Sequence, residues 1–148
     1  KSFGAQIYIF DNNLNRKSKN FKTRSLKYIF SECDIISIHL DSKEKNFNFK
    51  NKKYISLMKK NSIFINTSRG ELIDEKYLLS SLIKNKIAGV GLDVLKGDSS
   101  WEKKIGNKKI RKYIKNEKLI VTPHIGGNTK EASYKTKSEI IKKLKTLF

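Results

Sequence analysis

The sequence predicts an α/β fold built around a mostly parallel sheet. Short, unbroken apolar runs alternate with amphipathic stretches along the whole chain. This alternation is typical of β-α-β units, whose strands are buried on both faces and therefore carry few polar residues. Polar clusters follow the apolar runs, and ligands bind at the carboxyl ends of the strands in open sheets of this kind.

Five apolar runs are predicted as strands. Each has four to six residues and is rich in β-branched or aromatic side chains. The runs are residues 6–10, 35–39, 62–66, 87–92 and 119–122. The glycines of the fourth run predict points where the neighbouring backbone comes close.

Three helices and one short helical patch are predicted around these strands. Ser25 and Asp74 are candidate N-caps, because a short oxygen-bearing side chain can accept a hydrogen bond from the first helical turn. The helix after Ser25 extends to about Glu32, and the helix after Asp74 has leucines at helical spacing. The patch covers residues 54–58, and the last helix covers about 129–147.

The composition limits the class of protein. The chain has 148 residues, about one domain, and a net charge of +19. Nearly all cations are lysines, which are scattered and not interleaved with aromatic residues, and asparagine and isoleucine are also abundant. This pattern favours the coding bias of an AT-rich genome over a nucleic-acid footprint. A nucleic-acid-binding module is kept as an alternative.

Other classes are excluded by what the chain lacks. No apolar run approaches the ~18 residues of a membrane helix. A single cysteine, Cys33, allows no internal disulfide and no cysteine-based zinc site, and it fits a reducing, cytoplasmic compartment. No metal site is expected. The chain starts at Lys1 without a signal-peptide pattern, and we interpret it as a piece of a longer protein.

The polar residues that follow the strands are candidates for chemistry. Arg69 could hold a carboxylate through two parallel hydrogen bonds or form an ordinary surface salt bridge. His124 is either a general acid/base or a structural histidine, and Gly126 and Gly127 would let the backbone pass close to a ligand. Asp93 could accept a hydrogen bond from an amide N–H or cap a turn. The clusters on this edge are Asp11, His39, residues 66–70, Asp93 and His124.

Four ordered motifs resemble one family. They are SIHL (37–40), NTSRGELID (66–74), IAGVGLDV (87–94) and VTPHIGGNTKEA (121–132). Together they resemble the NAD-dependent D-isomer-specific 2-hydroxyacid dehydrogenases over nearly the whole chain. The resemblance implies a Rossmann-type parallel sheet with flanking helices, truncated at its N-terminus. Its first strand and Gly-rich turn would lie upstream of Lys1. Residues 1–148 are thus interpreted as a partial NAD-binding domain, without the family's substrate domain.

The resemblance also implies catalytic roles. Arg69 matches the arginine that binds the substrate's carboxylate and carbonyl. His124 matches the general acid/base that exchanges a proton with the substrate while a hydride moves between C2 and the nicotinamide. Asp98 stands where the family has a glutamate that orients the imidazole and favours its protonated form. Aspartate is one methylene shorter, and Glu102 is the alternative partner.

Cofactor contacts are implied in the same way. Asp11 matches the acid that binds the adenosine ribose hydroxyls, which favours NAD over NADP because a 2′-phosphate would meet a carboxylate. Asp93 matches the aspartate that contacts the nicotinamide carboxamide. Asp41 and Lys43 depart from the family's proline and threonine beside the cofactor. The remaining implied cofactor contacts are His39, Thr67, Gly126 and Gly127.

The expected function is therefore hydride transfer between NAD and C2 of a D-2-hydroxy acid, D-3-phosphoglycerate being one candidate. The full-length protein is expected to be a cytoplasmic homodimer without membrane or nucleic-acid partners. This chain alone is expected to bind NAD weakly or not at all and to be inactive, because the phosphate-binding turn is missing. The alternative is a non-catalytic NAD-sensing or corepressor-like regulator on the same fold.

Overall fold

The computed structural model describes residues 4–11, 21–41, 52–97, 110, 113–127 and 129–145. In chain order the strands are β1 (Tyr8–Ile9), β2 (Lys22–Thr23), β3 (Ile35–Ile38), β4 (Ile63–Asn66), β5 (Gly89–Leu92) and β6 (Leu119–Val121). The helices are α1 (Leu26–Glu32), α2 (Lys52–Ile55), α3 (Glu75–Ile83) and α4 (Lys130–Lys145), and a 3₁₀ turn covers Gly70–Leu72.

Four of these strands form one parallel sheet in the order β3-β4-β5-β6. The register sets Asn66 beside Ile38 and Leu92, and Leu92 beside Val121. The carboxyl ends of all four strands therefore meet at one edge. The predicted α/β class and parallel pairing are confirmed.

The core lies on one face of this sheet. Phe64 and Val90 point to that face and are buried, together with Phe30 of α1 and Leu78 and Leu82 of α3. Apolar side chains hold the helices there because burying them removes them from water.

The opposite face of the sheet is largely open. Ile35 and Ile120 belong to it and are 61% and 67% exposed. The expectation that the strands are buried on both faces is therefore wrong for the residues that the structure describes. Within the described ranges, no helix or strand covers the apolar side chains on this face of the sheet.

β1 and β2 form a separate two-stranded parallel sheet. β1 pairs only with β2 and β3 only with β4 among the described strands. A groove of about 970 Å³ lies between β1 and β3, and it is lined by residues 5–11 on one side and 33–40 on the other. The sheet is thus interrupted between β1 and β3.

Local signals located the helices well. Ser25 caps α1 by accepting a hydrogen bond from the Tyr28 amide at 3.2 Å, and Asp74 caps α3 by accepting from the Tyr77 amide at 2.9 Å. The patch predicted at 54–58 is shifted, since α2 covers Lys52–Ile55. The strands are shorter than predicted, and β2 and the 3₁₀ turn were not predicted. Among the described residues no helix has both the length and the apolarity to cross a bilayer.

The predicted reason for the glycines of β5 is wrong. A Cβ on Gly89 or Gly91 would meet its nearest atoms at 3.5 and 3.8 Å, which are ordinary contacts. Close approach occurs instead in the loops that follow the strands, at Gly70 and Gly126.

Candidate functional site

The carboxyl edge of the four-stranded sheet carries most of the predicted site residues. His39, Thr67, Asp93 and His124 follow β3, β4, β5 and β6, so the sheet brings their backbones to one edge, as predicted. Asp11 follows β1 in the other sheet and borders the groove. Asp98, the predicted partner of the imidazole, lies outside the described residues, as do Glu102 and Lys43.

The turn that carries Arg69 is built by Asn66, the last residue of β4. Asn66 is fully buried, and its Oδ1 accepts hydrogen bonds from the Ser68 amide and hydroxyl at 3.1 and 3.2 Å. Its Nδ2 donates to the Arg69 carbonyl at 2.9 Å. An asparagine that bonds backbone two and three residues ahead fixes a tight turn. The backbone of Arg69 is thereby set by a buried side chain.

The Arg69 side chain is exposed at this edge. Its Nη1 donates to the Ser68 carbonyl at 2.7 Å, and it forms no ion pair within the part of the chain that the structure describes. The surface salt-bridge interpretation therefore finds no partner among those residues. A guanidinium in this state retains donors for a planar carboxylate.

Gly70 lets the Arg69 turn lie against the segment that follows β5. A Cβ at Gly70 would stand 2.2 Å from the Leu95 carbonyl carbon and 2.4 Å from the Leu95 oxygen. These are backbone atoms, so no side-chain rotation could relieve the overlap. Only glycine fits here.

Two carboxylates hold the same segment. Glu75 Oε2 accepts from the Lys96 amide at 2.9 Å, and Glu71 Oε1 accepts from the Gly97 amide at 3.2 Å. Burial raises the pKa of Glu75 above its ordinary value, against the opposing effect of the Lys96 amide. The end of β5 is therefore tied to the start of α3.

Asp93 lies at the centre of this edge and is only 7% exposed. Its amide donates to the Asn66 carbonyl at 2.9 Å. Its Oδ1 accepts from the Thr122 hydroxyl at 2.5 Å and the Ile125 amide at 3.0 Å, and its Oδ2 accepts from the Gly126 amide at 2.8 Å. Of the two interpretations of Asp93, the described contacts are those of a side chain that caps a backbone loop. Its contact with the nicotinamide carboxamide stays a prediction.

These contacts keep Asp93 ionised. Burial alone would raise the pKa of its carboxyl, but the three hydrogen bonds and the nearby His124 together lower it below its ordinary value. Hydrogen bonds donated to a carboxylate favour the charged form. A buried negative charge is therefore present beneath the histidine loop.

His124 is exposed and has a φ of +55°, in the left-handed region that side chains rarely adopt. Its amide donates to the Thr122 carbonyl at 3.0 Å. Strained backbone of this kind persists only where the surrounding structure fixes it, and such residues cluster at functional sites.

A family model described as the NAD binding domain of D-isomer specific 2-hydroxyacid dehydrogenases matches residues 1–126. The chain belongs to this family. The four sequence motifs that resemble this family contain the loops that converge at the carboxyl edge.

Curated relatives of the dehydrogenase family align with most of the chain. A D-lactate dehydrogenase of Treponema pallidum is 35% identical over 139 residues, covering 89% of this chain and 42% of the relative. A D-3-phosphoglycerate dehydrogenase of Haemophilus influenzae is 31% identical over 133 residues, covering 89% of this chain and 32% of the relative. The chain thus spans less than half the length of these relatives.

Solved structures share the fold of this chain. A D-lactate dehydrogenase from Aquifex aeolicus, complexed with NAD and lactic acid, superposes with a TM-score of 0.81 at 26% identity, covering 99% of this chain and 47% of that one. An acyclic imino acid reductase in complex with NADPH and D-Arg gives 0.80 at 27% identity, covering 99% and 44%. NAD-bound and NADPH-bound relatives therefore both resemble this chain.

Apart from the buried aspartate at the centre of the edge, the residues predicted to contact the cofactor are exposed or border open space. Asp11 and Thr67 are exposed, and the His39 Nε2 shares a hydrogen bond with the Ser37 hydroxyl at 2.8 Å. A Cβ on Gly127 would meet no atom within 4 Å. No group of three or more metal-ligating side chains occurs in the described parts of the chain.

Sequence reasoning missed residues that build the site. Asn66 was noted only as part of a polar cluster, although an asparagine at a strand end with a serine two residues later is a local turn signal. Thr122 gave no such signal, because its partner Asp93 lies 29 residues away in sequence. Gly70 and Glu75 were missed for the same reason, since they contact residues more than 20 positions ahead.

Proposed function

We propose that the protein containing this chain transfers a hydride between NAD and C2 of a D-2-hydroxy acid. The observation that carries the proposal is the hydrogen-bonded connection between the Arg69 turn and the His124 loop. It runs from Asn66 to the Asp93 amide and from the Asp93 carboxylate to the loop. This connection supports a site in which Arg69 and His124 act on one substrate from the same edge of the sheet.

In this proposal Arg69 binds the carboxylate of a 2-oxo acid and polarises the neighbouring carbonyl. His124 donates a proton to that carbonyl oxygen during reduction and takes it back during oxidation. The nicotinamide, when bound, supplies or accepts the hydride. Thr67, Asp93 and Gly126 would lie on its side of the site.

The partner of the imidazole is proposed to be Asp98, with Glu102 as the alternative. The segment leading to Asp98 leaves the sheet edge held by Glu71 and Glu75. In the full-length enzyme Asp98→Asn should move the pH profile of reduction, and Asp98→Glu should hold or raise kcat. A shift with Glu102→Gln but not with Asp98→Asn would assign the role to Glu102.

Domain organisation is part of the proposal. Residues 1–148 would form part of the NAD-binding domain of a cytoplasmic homodimer, with a separate substrate domain elsewhere in the protein. The groove between β1 and β3 would receive a further strand that carries the phosphate-binding turn. The edges of β1 and β3 that border the groove pair with no other described strand, which supports this, because exposed edges are templates for another strand.

The test is turnover by the full-length protein with NADH and a panel of 2-oxo acids: pyruvate, glyoxylate, hydroxypyruvate and 3-phosphohydroxypyruvate. These correspond to the reactions named for curated relatives, namely D-lactate and D-3-phosphoglycerate dehydrogenases and glyoxylate and hydroxypyruvate reductases. We expect NADH oxidation with at least one and a D-configured product where C2 is a stereocentre. NADH binding without turnover of any of these 2-oxo acids would favour the alternative, a non-catalytic NAD-sensing regulator on the same fold.

A further inference from the structure

The loop that carries His124 is bonded to the Leu92 carbonyl through the Thr122 amide, and its other described anchor is one side chain. Three donors of the loop, the Thr122 hydroxyl and the Ile125 and Gly126 amides, all end on the carboxylate of Asp93. The donors lie on both sides of His124 in sequence. A single buried carboxylate thus brackets the histidine.

The fit of the carboxylate against the loop is tight. A Cβ added to Gly126 would stand 2.8 Å from Asp93 Oδ2 and 3.6 Å from its carboxyl carbon. Gly126 does not have a positive φ. A side chain at this position would therefore displace the Asp93 carboxylate from the loop, whereas the backbone conformation itself does not demand glycine.

The backbone of His124 needs this support. Its φ of +55° is unfavourable for a residue with a Cβ, and its exposed side chain is not held by core packing. Without acceptors for the flanking amides, the loop could relax to the extended region and carry the imidazole away from the sheet edge.

We propose that Asp93 is the positioning residue that fixes the 122–126 loop and thereby presents the imidazole of His124 to the substrate. This role is distinct from a contact with the nicotinamide carboxamide, and it rests on the proposed function for its catalytic consequence. Oδ1 already accepts two hydrogen bonds and Oδ2 one. Each oxygen of the carboxylate therefore accepts at least one hydrogen bond from the loop.

The test compares Asp93→Asn with the wild type in the full-length protein. An amide can accept on only one side, so at least one loop donor loses its acceptor. We expect kcat to fall about 10- to 100-fold, the loss expected for a buried charge-assisted hydrogen bond, while the KM for NADH changes less than about twofold. Thr122→Val removes one donor and leaves the carboxylate and both amide bonds. Its kcat should fall only about threefold.

A second measurement examines the loop itself in this chain. Hydrogen exchange of the Ile125 and Gly126 amides should accelerate in Asp93→Asn, while the amides of β4 keep their protection. Glu139→Gln is the matched control, because it also converts a carboxylate to an amide but breaks only an exposed ion pair with Lys142 on α4. It should change neither kcat nor the exchange of the loop.

The outcomes separate the possibilities. An unchanged kcat per folded molecule in Asp93→Asn, or a raised KM for NADH with unchanged kcat, would overturn the positioning role. If Asp93→Asn does not fold, the threefold loss in Thr122→Val decides, and its absence overturns the role. If the wild type turns over no substrate, the proposed function fails. The hydrogen exchange of the Ile125 and Gly126 amides then decides alone whether Asp93 fixes the 122–126 loop: faster exchange in Asp93→Asn supports this, and unchanged exchange overturns it.

Discussion

The carboxyl edge of β4, β5 and β6 and the groove between β1 and β3 are built very differently. At the edge, buried Asn66 and Asp93 tie three loops together through hydrogen bonds of 2.5 to 3.2 Å. At the groove, β1 and β3 border a cavity of about 970 Å³, and none of the described strands lies between them. The loops that carry Arg69 and His124, the residues proposed for substrate binding and proton transfer, are thus joined by hydrogen bonds. Asp11, which is proposed to bind the adenosine end of NAD, borders an open cleft.

The difference suggests that the two halves of the reaction depend on different parts of the protein. The network at the edge is formed by residues 66–126 of this chain alone. The cleft is proposed to receive a further strand from elsewhere in the protein. Substitutions at the edge should therefore affect catalysis and folding. Substitutions beside the cleft should affect the binding of the cofactor and the preference for NADH or NADPH.

The largest effect is expected for His124→Ala in the full-length protein. Removing a general acid/base should lower kcat by about 100- to 10,000-fold, with little change in the KM for NADH. Steady-state kinetics with the preferred 2-oxo acid would measure it. Lys142→Ala on exposed α4 is the control. Turnover that survives both His124→Ala and Arg69→Ala would show that the proposed mechanism is wrong.

The next effect concerns the packing of the edge. Gly70→Ala should destabilise the chain by about 1–3 kcal/mol or more, because its Cβ would overlap the Leu95 backbone. Gly91→Ala is the matched control, since its Cβ would meet only a side-chain atom of Ile65 at 3.8 Å. It should change the free energy of unfolding by less than about 1 kcal/mol. Equal losses for the two variants in urea titrations would refute the close packing at Gly70.

Beside the cleft, Asp11 should govern cofactor choice. The full-length protein should prefer NADH to NADPH, and Asp11→Ala should narrow the ratio of kcat/KM values by roughly tenfold, equivalent to ~1.4 kcal/mol of repulsion removed. The value of kcat with NADH should change less. A wild-type protein that uses both cofactors equally would count against Asp11 as the ribose-binding acid.

The smallest effect is a pair of opposite pH dependences. The pKa of Asp93 is lowered on folding, so its contribution to stability is present above the ordinary value of 3.8 and is lost as the pH falls below it. The pKa of Glu75 is raised by burial, so its ionisation disfavours the folded state as the pH rises through and above 4.5. The urea concentration at the unfolding midpoint, measured from about pH 3 to 7, should fall less towards acid pH in Asp93→Asn than in the wild type. In Glu75→Gln it should fall less towards neutral pH than in the wild type. The same sign for both variants would contradict this assignment.

Local and long-range interactions explain what the sequence could predict. Ser25 and Asp74 were found as caps because each bonds an amide three residues away. β2 was missed because Lys22 and Thr23 have no apolar character and become a strand only by pairing with β1. The motifs located Arg69 and His124. The support of the Arg69 turn by Asn66 is local, whereas the contact of Asp93 with the His124 loop depends on the register of the sheet.

We expect this chain to hold the His124 loop at the sheet edge but to bind NAD only weakly. Amide hydrogen exchange and an NAD titration, recorded by NMR on the same sample of the chain, measure both properties. The amides of Asp93, Ile125 and Gly126 should be protected, and NAD at micromolar concentrations should shift no resonance. Unprotected loop amides, or saturable micromolar binding of NAD, would contradict this expectation.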